Sequence, residues 1–373
     1  MPQTALLAAS QLSSAPSVLE LDREPVLGQV ARHVELDSSR ADKKTVHLAL
    51  RFPEKTPAYE PGDALEIYPQ NDESLVDKVL DVAGLSGDDH LRTALVHERD
   101  ITTLSLATVE RFVMTTGHRE ARELLCSGAI PAWIEGRQFS DLLERFPATL
   151  TSQQLLVLTT PLRPRAYSIA SSRKAVGTEA HLLISATTTP VKAGVASAYL
   201  TSRVTIGAQV RVRLRPNNQF RLPAPATDII MIGAGTGIAP FRAFLQERRA
   251  IQAPGRNWLV LGARHEERGF PYRAEWSEAM TDGSLHRLDL AFSGYEPNKI
   301  YVQDRLWENR AEIVRWLDNG ASLYVCGDAK GMAKDVRAIL VRIVAEVTAV
   351  ASDTAELMVA DLERQRRYCQ DVY

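Results

Sequence analysis

Between Pro225 and the C-terminus, four nearly continuous apolar runs, DIIMIGA, NWLVLGA, LHRLDLAF and ASLYVCG, alternate with helix-like stretches. Those stretches, AFLQERRAI, YRAEWSEAM, QDRLWENRAEIVRWL and KDVRAILVRIVAEV, place apolar residues three and four apart. A strand without polar alternation has to be covered on both faces, and the intervening helices supply the cover. The pattern therefore predicts a doubly wound parallel α/β domain over residues 226–373. In such a domain ligands sit at the carboxyl ends of the strands.

The preceding part has a different rhythm. GQVARHVEL, TVHLALRF and DALEIYP are short, β-like runs separated by turn residues, and RAYSIASS, AHLLISATT and AQVRVRLRP resume the pattern later. Between them, over about 72–152, SLVDKVLDVAGL, TVERFVMTTGHREARELL and FSDLLERF carry helical periodicity. One antiparallel β-barrel over 26–225, interrupted by a helical insert, is the economical reading. Residues 1–25 read as a mobile leader without a signal-peptide n-region.

A net charge of −2 gives no electrostatic reason to expect nucleic acid or an anionic membrane as partner, and no run approaches the length of a membrane span. Cys126, Cys326 and Cys369 lie far apart without metal-ligand spacing, so no metal site is expected and a reducing cytoplasm is the simplest location.

The sharpest local signal is MIGAGTGIAPFRAFLQER, residues 231–248. Gly233, Gly235 and Gly237 sit where a buried strand becomes a helix, so the backbone can turn tightly and the helix N-terminus can face a phosphate. The spacing departs from GxGxxG, and a glycine-rich turn alone can be only a turn. RPRAYSIASS, residues 163–172, puts Arg165 and Tyr167 on one strand face, where an arginine suits a diphosphate and a tyrosine offers a flat stacking surface. Alone, it also fits an edge strand with an incidental Arg and Tyr.

Together, in order and spacing, these motifs resemble the FAD/NADPH half of the diflavin reductases, in particular the flavoprotein subunits that serve sulfite reduction. YEPGDALEIYPQND, RPRAYSIASS, GVAS, NNQFRLP, MIGAGTGIAPFRAFLQER, KIYVQDRL, YVCGDAKGMAKDV and the terminal RRYCQDVY carry the resemblance. It implies a ferredoxin–NADP reductase-like fold, with an antiparallel FAD-binding β-barrel followed by the NADP-binding α/β domain.

The resemblance also implies residue roles. Arg165 would pair with the FAD diphosphate, Tyr167 would stack on the isoalloxazine beside Ala166, and Ser168 would hydrogen-bond near the reactive nitrogen. Gly194, Val195, Ala196 and Ser197 would form a second diphosphate loop, Leu183, Ile184 and Ser185 would hold the flavin ring through the backbone, and Thr102 would add an FAD contact. Gly235, Thr236 and Gly237 would meet the nicotinamide nucleotide. The 2′-phosphate cluster falls on Ser293, Lys299, Ile300, Tyr301, Val302 and Gln303, with Asp335 further on. Cys326 and Asp371 would stand near hydride transfer, and Tyr373 would cover the flavin as a gate. By default Cys326 reads as a buried core cysteine and Asp371 as a solvated charge.

The implied activity is an NADPH-dependent FAD oxidoreductase that passes single electrons to a separate flavodoxin-like protein or haemoprotein. Alternatives are a ferredoxin or flavodoxin reductase, a nitrate or nitrite reductase component, or a non-catalytic flavin-binding subunit. Only some 25 residues precede the first β-like strand, so FMN is not expected in this chain. Two positions depart from the pattern. Gly294 replaces an arginine of the 2′-phosphate cluster, and Thr189 replaces the aromatic over the FAD adenine. An arginine restored at 294, or help from Arg264 or His265, is expected to strengthen 2′-phosphate recognition.

Overall fold

The computed structural model describes residues 24–36, 43–54, 58–187, 194–266, 270–294 and 297–373. Most of the expected leader and Thr189 lie outside the described residues. In chain order the strands are β1 (Val26–Glu35), β2 (Lys43–Arg51), β3 (Ala64–Ile67), a short ribbon β4 (Arg99–Asp100) with β5 (Thr160–Pro161), then β6 (Arg165–Ser168), β7 (Glu179–Thr187) and β8 (Gln209–Arg215). Six of them form an antiparallel sheet in the order β6-β3-β8-β1-β2-β7. Ile169, just past β6, bridges Leu182 of β7, so the two ends of the sheet meet and it curls into a barrel. Its interior is filled by alternate residues such as Val46, Leu48 and Leu50 of β2 and Leu182 and Ile184 of β7, all fully buried.

Between β3 and β6 lie seven helices, from Glu73–Ala83 to Ser152–Leu158. They close around a core of their own, with Val76, Leu95, Val109, Phe112, Leu142 and Leu155 fully buried. Their ends follow from local chemistry. Asp72 Oδ1 accepts from Ser74 N at 2.9 Å to start the first helix, and Gly84 at φ 69° ends it.

The remainder is a parallel sheet of β9 (Ile229–Ala234), β10 (Asn257–Ala263), β11 (Arg287–Phe292), β12 (Ser322–Gly327) and β13 (Tyr368–Val372), in the order β11-β10-β9-β12-β13. Four of these strands match the long apolar runs. The fifth is an addition to the sequence reading: the terminal YCQDV pairs parallel to β12. Alternate residues enter the two covering layers. Ile230, Ile232, Leu323 and Val325 pack with Leu306, Ile313, Val336 and Ile343 on one face. Met231, Leu259, Tyr324 and Cys326 pack with Phe241, Phe244 and Trp276 on the other.

That second layer runs on into the barrel domain, taking in Ala170, Leu183 and Phe220. Phe220 stacks on Phe244 with ring centroids 5.5 Å apart, and the Tyr324 hydroxyl donates to Arg221 O at 2.7 Å. A fully buried Phe contributes about 1.5–3 kcal/mol by area alone, so the two domains share a substantial part of their core. Strand β2 shows the same union. Its Val46, Leu48 and Leu50 face the barrel interior while His47 turns outward to the α/β domain, where its Nδ1 meets the Tyr272 hydroxyl at 2.9 Å.

Burial, aided by the nearby charges of His181 and Arg242, pushes the His47 pKa down from 6.5 to about 3. Below pH 6.5 the unfolded chain gains a proton that the folded chain refuses, so His47 stability is complete above that pH and is lost as pH falls towards about 3. His47→Gln keeps a partner for the Tyr272 hydroxyl but does not titrate. Urea unfolding across this window is expected to show a shallower acid loss in the variant. Identical pH slopes for both proteins would contradict the assignment.

Candidate functional site

The order of the parallel sheet reverses at β9, so the crevice for a ligand opens where β9 and β12 end. The glycine turn lies there. Gly235 adopts φ 58°, which favours glycine, and a Cβ on Gly237 would lie 2.2 Å from Cys326 O. The turn therefore hugs the end of β12 and leads directly into the helix Ala239–Ala250, where Ala239 N already donates to Thr236 O and Pro240 has no N–H, so backbone donors for a ligand have to come from the glycine turn itself. At Gly235 a Cβ would meet nothing within 4 Å, and this open side of the turn leaves room for a nucleotide phosphate.

The register of β13 on β12 sets Cys326 opposite Asp371. Asp371 Oδ2 accepts from the Ser168 hydroxyl at 2.8 Å and lies 3.9 Å from Cys326 Sγ, while Oδ1 accepts from Asn217 Nδ2 at 3.3 Å. Serine, cysteine and aspartate thus converge from β6, β12 and β13. Burial raises the Asp371 pKa, against the opposing hydrogen bonds from Ser168 and Cys326. Burial also drives the Cys326 thiol well above its ordinary value, reinforced by the Asp371 charge, so the sulfur keeps its proton.

Asn217 is not singled out by the sequence, although it stands in the NNQFRLP motif. The EPGD turn explains its placement. A Cβ on Gly62 would lie 1.8 Å from Phe220 O, and Asp63 Oδ1 accepts from Asn217 N at 2.9 Å and from Arg221 Nη2 at 2.5 Å. One tight turn in the barrel thus holds the loop whose amide reaches Asp371.

The chain end is tied at three points. Tyr373 N donates to Gly327 O and Tyr373 O accepts from Ala329 N, both at 3.1 Å, and the Tyr373 hydroxyl lies 2.7 Å from Thr236 Oγ1 in the glycine turn. The residue as a whole is 64 % exposed. The last residue is a fixed aromatic at the crevice mouth.

On the barrel side, Arg165 and Ala166 are exposed and Tyr167 is half-buried. Arg165 Nη1 reaches only its neighbour's carbonyl, Pro164 O at 3.5 Å, and no carboxylate pairs with it among the described residues. Such an arginine fits a diphosphate. Leu183 and Ile184 are buried in β7, and Ser185 Oγ accepts from Thr45 Oγ1 at 3.3 Å. Past the bridge at Leu182, no described strand pairs with the outer edge of β7, which leaves backbone groups for a flat polar ring edge. Gly194 precedes the helical turn Val195–Ala198, and Ser197 Oγ bonds back to Gly194 O at 3.0 Å. Thr102 is held by Asp100 Oδ1, through its N at 2.9 Å and Oγ1 at 2.8 Å, beside the ribbon that leads into β6.

The expected 2′-phosphate residues gather after β11. Ser293 N donates to Ala263 O at 3.0 Å, Tyr301 is 46 % exposed, and Gln303 Nε2 reaches Asp335 Oδ2 at 3.4 Å. Lys299 stands two residues before Tyr301 on the same connection. Val302 is buried in the core, so only its backbone can meet a ligand, while Ile300 is partly buried against the same core. At Gly294 the expectation needs correction. A Cβ there would lie 2.4 Å from Arg264 O and 2.2 Å from His265 Cε1. The imidazole occupies the place of a side chain, and an arginine cannot simply be restored.

Residues 20–124 match the FAD binding domain and residues 231–338 the oxidoreductase NAD-binding domain. The chain is 37% identical to the sulfite reductase [NADPH] flavoprotein alpha-component of Enterobacter sp. (strain 638), over 98% of this chain and 63% of the relative. The Cronobacter sakazakii protein of the same name is 37% identical over 100% of this chain and 64% of its own length. That of Escherichia coli (strain K12) is 37% identical over 94% and 61%. The chain therefore spans under two thirds of these relatives. Along nearly its whole length the chain is similar to sulfite reductase flavoprotein alpha-components, and it carries an FAD binding domain followed by an oxidoreductase NAD-binding domain.

Proposed function

We propose that this chain takes hydride from NADPH onto FAD and delivers electrons one at a time to a separate protein acceptor, a flavodoxin-like protein or a haemoprotein of sulfite reduction. The observation that carries the reading is the meeting of Ser168, Cys326 and Asp371 where the flavin strand faces the glycine turn. FAD, when bound, supplies the ability to accept two electrons together and release them singly. The protein's part is binding and orientation. Arg165 would neutralise the diphosphate, Tyr167 would lie against the ring, and the open edge of β7 at Leu183–Ser185 would hold its polar rim. Asp371 fixes the Ser168 hydroxyl, and the protonated Cys326 fills the wall beside it without adding a charge. Lys299, Tyr301 and Gln303 would hold the 2′-phosphate. The names of the relatives support sulfite reduction as the setting, and the three unpaired cysteines fit a reducing cytoplasm.

Denaturing the purified chain is expected to release FAD, and NADPH is expected to reduce an artificial dye through it faster than NADH does. FMN in place of FAD, or no dye reduction, would sink the proposal. Arg165→Ala and Tyr167→Ala should lower FAD occupancy, because losing a charged hydrogen bond costs about 1.5–3 kcal/mol, roughly tenfold or more in affinity. Undiminished flavin in both variants would remove this strand from the site.

Tyr373 would cover the flavin face that the nicotinamide has to reach. Tyr373→Ala keeps the backbone ties to Gly327 and Ala329 that a deletion would remove. A stacked aromatic pair is worth about 0.5–1.5 kcal/mol beyond its area, little enough for a bound nucleotide to displace. The substitution should perturb flavin fluorescence and narrow the NADPH-over-NADH ratio of kcat/KM. Unchanged spectra with an unchanged ratio would leave the ring without this role.

A further inference from the structure

Arg242, Gln246 and Glu247 lie on one face of the helix Ala239–Ala250 and reach across to the segment that follows β6. Arg242 is 8 % exposed, and its Nη1 donates to Ala170 O at 2.7 Å and to His181 Nδ1 at 3.3 Å. Its Nε and Nη2 fork onto the Glu275 carboxylate at 2.7 and 2.9 Å. The guanidinium also sits 4.6 Å from the centre of the Tyr272 ring. One turn on, Gln246 Oε1 accepts from Ser172 N at 3.0 Å and Glu247 Oε2 from the Ser172 hydroxyl at 2.5 Å.

The protons in this contact can be assigned. A guanidinium only donates, so His181 Nδ1 is the acceptor and the ring hydrogen sits on Nε2. There it faces Glu179 Oε2 at 3.2 Å, and Glu179 is itself paired with Arg51 at 2.8 Å. Burial lowers the His181 pKa, which favours the neutral ring that this arrangement needs. Arg242 is thereby joined to β7 through His181 and to the end of β6 through Ala170.

Both ends of this contact matter for position. The helix that carries Arg242 begins at the nucleotide-facing glycine turn, and Ala170 lies two residues beyond Ser168. The apolar seam around Phe220 and Phe244 holds the domains together but is non-directional. The hydrogen bonds of Arg242 have fixed directions. We propose that Arg242 is a positioning residue for hydride transfer, setting the register of the flavin strand against the nucleotide turn. This inference rests on the function proposed above.

The test uses FAD-loaded Arg242→Lys and Arg242→Gln in the full chain. FAD content, unfolding midpoint, affinity for oxidised NADP and the single-turnover rate of flavin bleaching at saturating NADPH are measured without oxygen. Misplacement by about 1 Å can cost about a hundredfold in rate. The expected result is a saturating rate lowered by roughly tenfold or more in Arg242→Gln, with FAD content and nucleotide affinity within about twofold of wild type. Arg242→Lys keeps the charge and a donor for Ala170, so its rate should fall between the two. It decides the matter alone if the glutamine variant does not fold. Wild-type saturating rates in the folded variants, even with a lower unfolding midpoint, would overturn the inference and leave Arg242 a stabilising residue. A wild-type chain that NADPH does not bleach would be a different failure, that of the function itself.

Discussion

The site depends on the parallel pairing of the last five-residue strand with β12. That pairing turns a chain terminus into part of the sheet, sets Asp371 against Cys326, and ties Tyr373 to Gly327 and Ala329. Strands pair through backbone groups spaced at fixed intervals, so a slip of one residue would turn Asp371 to the opposite face of the sheet. Ser168 and Asn217, from the barrel domain, then close on the carboxylate. The chemistry-bearing cluster is consequently an interdomain feature that neither domain holds alone.

Its geometry requires the two domains to behave as one piece, and two kinds of contact provide this. Phe220, Phe244, Phe241 and Tyr324 form a continuous aromatic layer across the boundary, which supplies cohesion without direction. Polar contacts between His47 and Tyr272 and between Arg242, Ala170 and His181 supply direction. A buried polar group left unpaired costs about 1–3 kcal/mol, so each contact penalises a shifted arrangement. The fully satisfied His181, with Arg242 on one nitrogen and Glu179 on the other, illustrates how narrow the permitted geometry is.

The sequence revealed what rests on long patterns. Four apolar runs foretold β9 to β12, the helical periodicity over 72–152 foretold the insert, and the glycine-rich run foretold a tight turn from strand to helix. Ser168, Cys326 and Asp371 were named from family resemblance, and their proximity is a matter of register that no spacing rule shows. What stayed hidden was set by tertiary context. YCQDV is too short and polar to announce a strand, and becomes one because β12 offers a free edge. Gly294 read as a lost arginine, yet His265 and the Arg264 carbonyl fill the space in which that side chain would begin. Asn217 looks like a loop residue until Gly62 and Asp63 fix the loop beside Asp371.

The central claim, that hydride passes from NADPH to a flavin held between these two domains, has a direct test in the isotope dependence of bleaching. The FAD-loaded chain is mixed without oxygen with saturating NADPH carrying either hydrogen or deuterium at the transferred nicotinamide position. The flavin absorbance is followed through one turnover. The account predicts bleaching that is clearly slower with deuterium, and a larger isotope effect in Ser168→Ala as the transfer step becomes more limiting. Absence of bleaching, or bleaching that ignores the isotope in both wild type and Ser168→Ala, would contradict it.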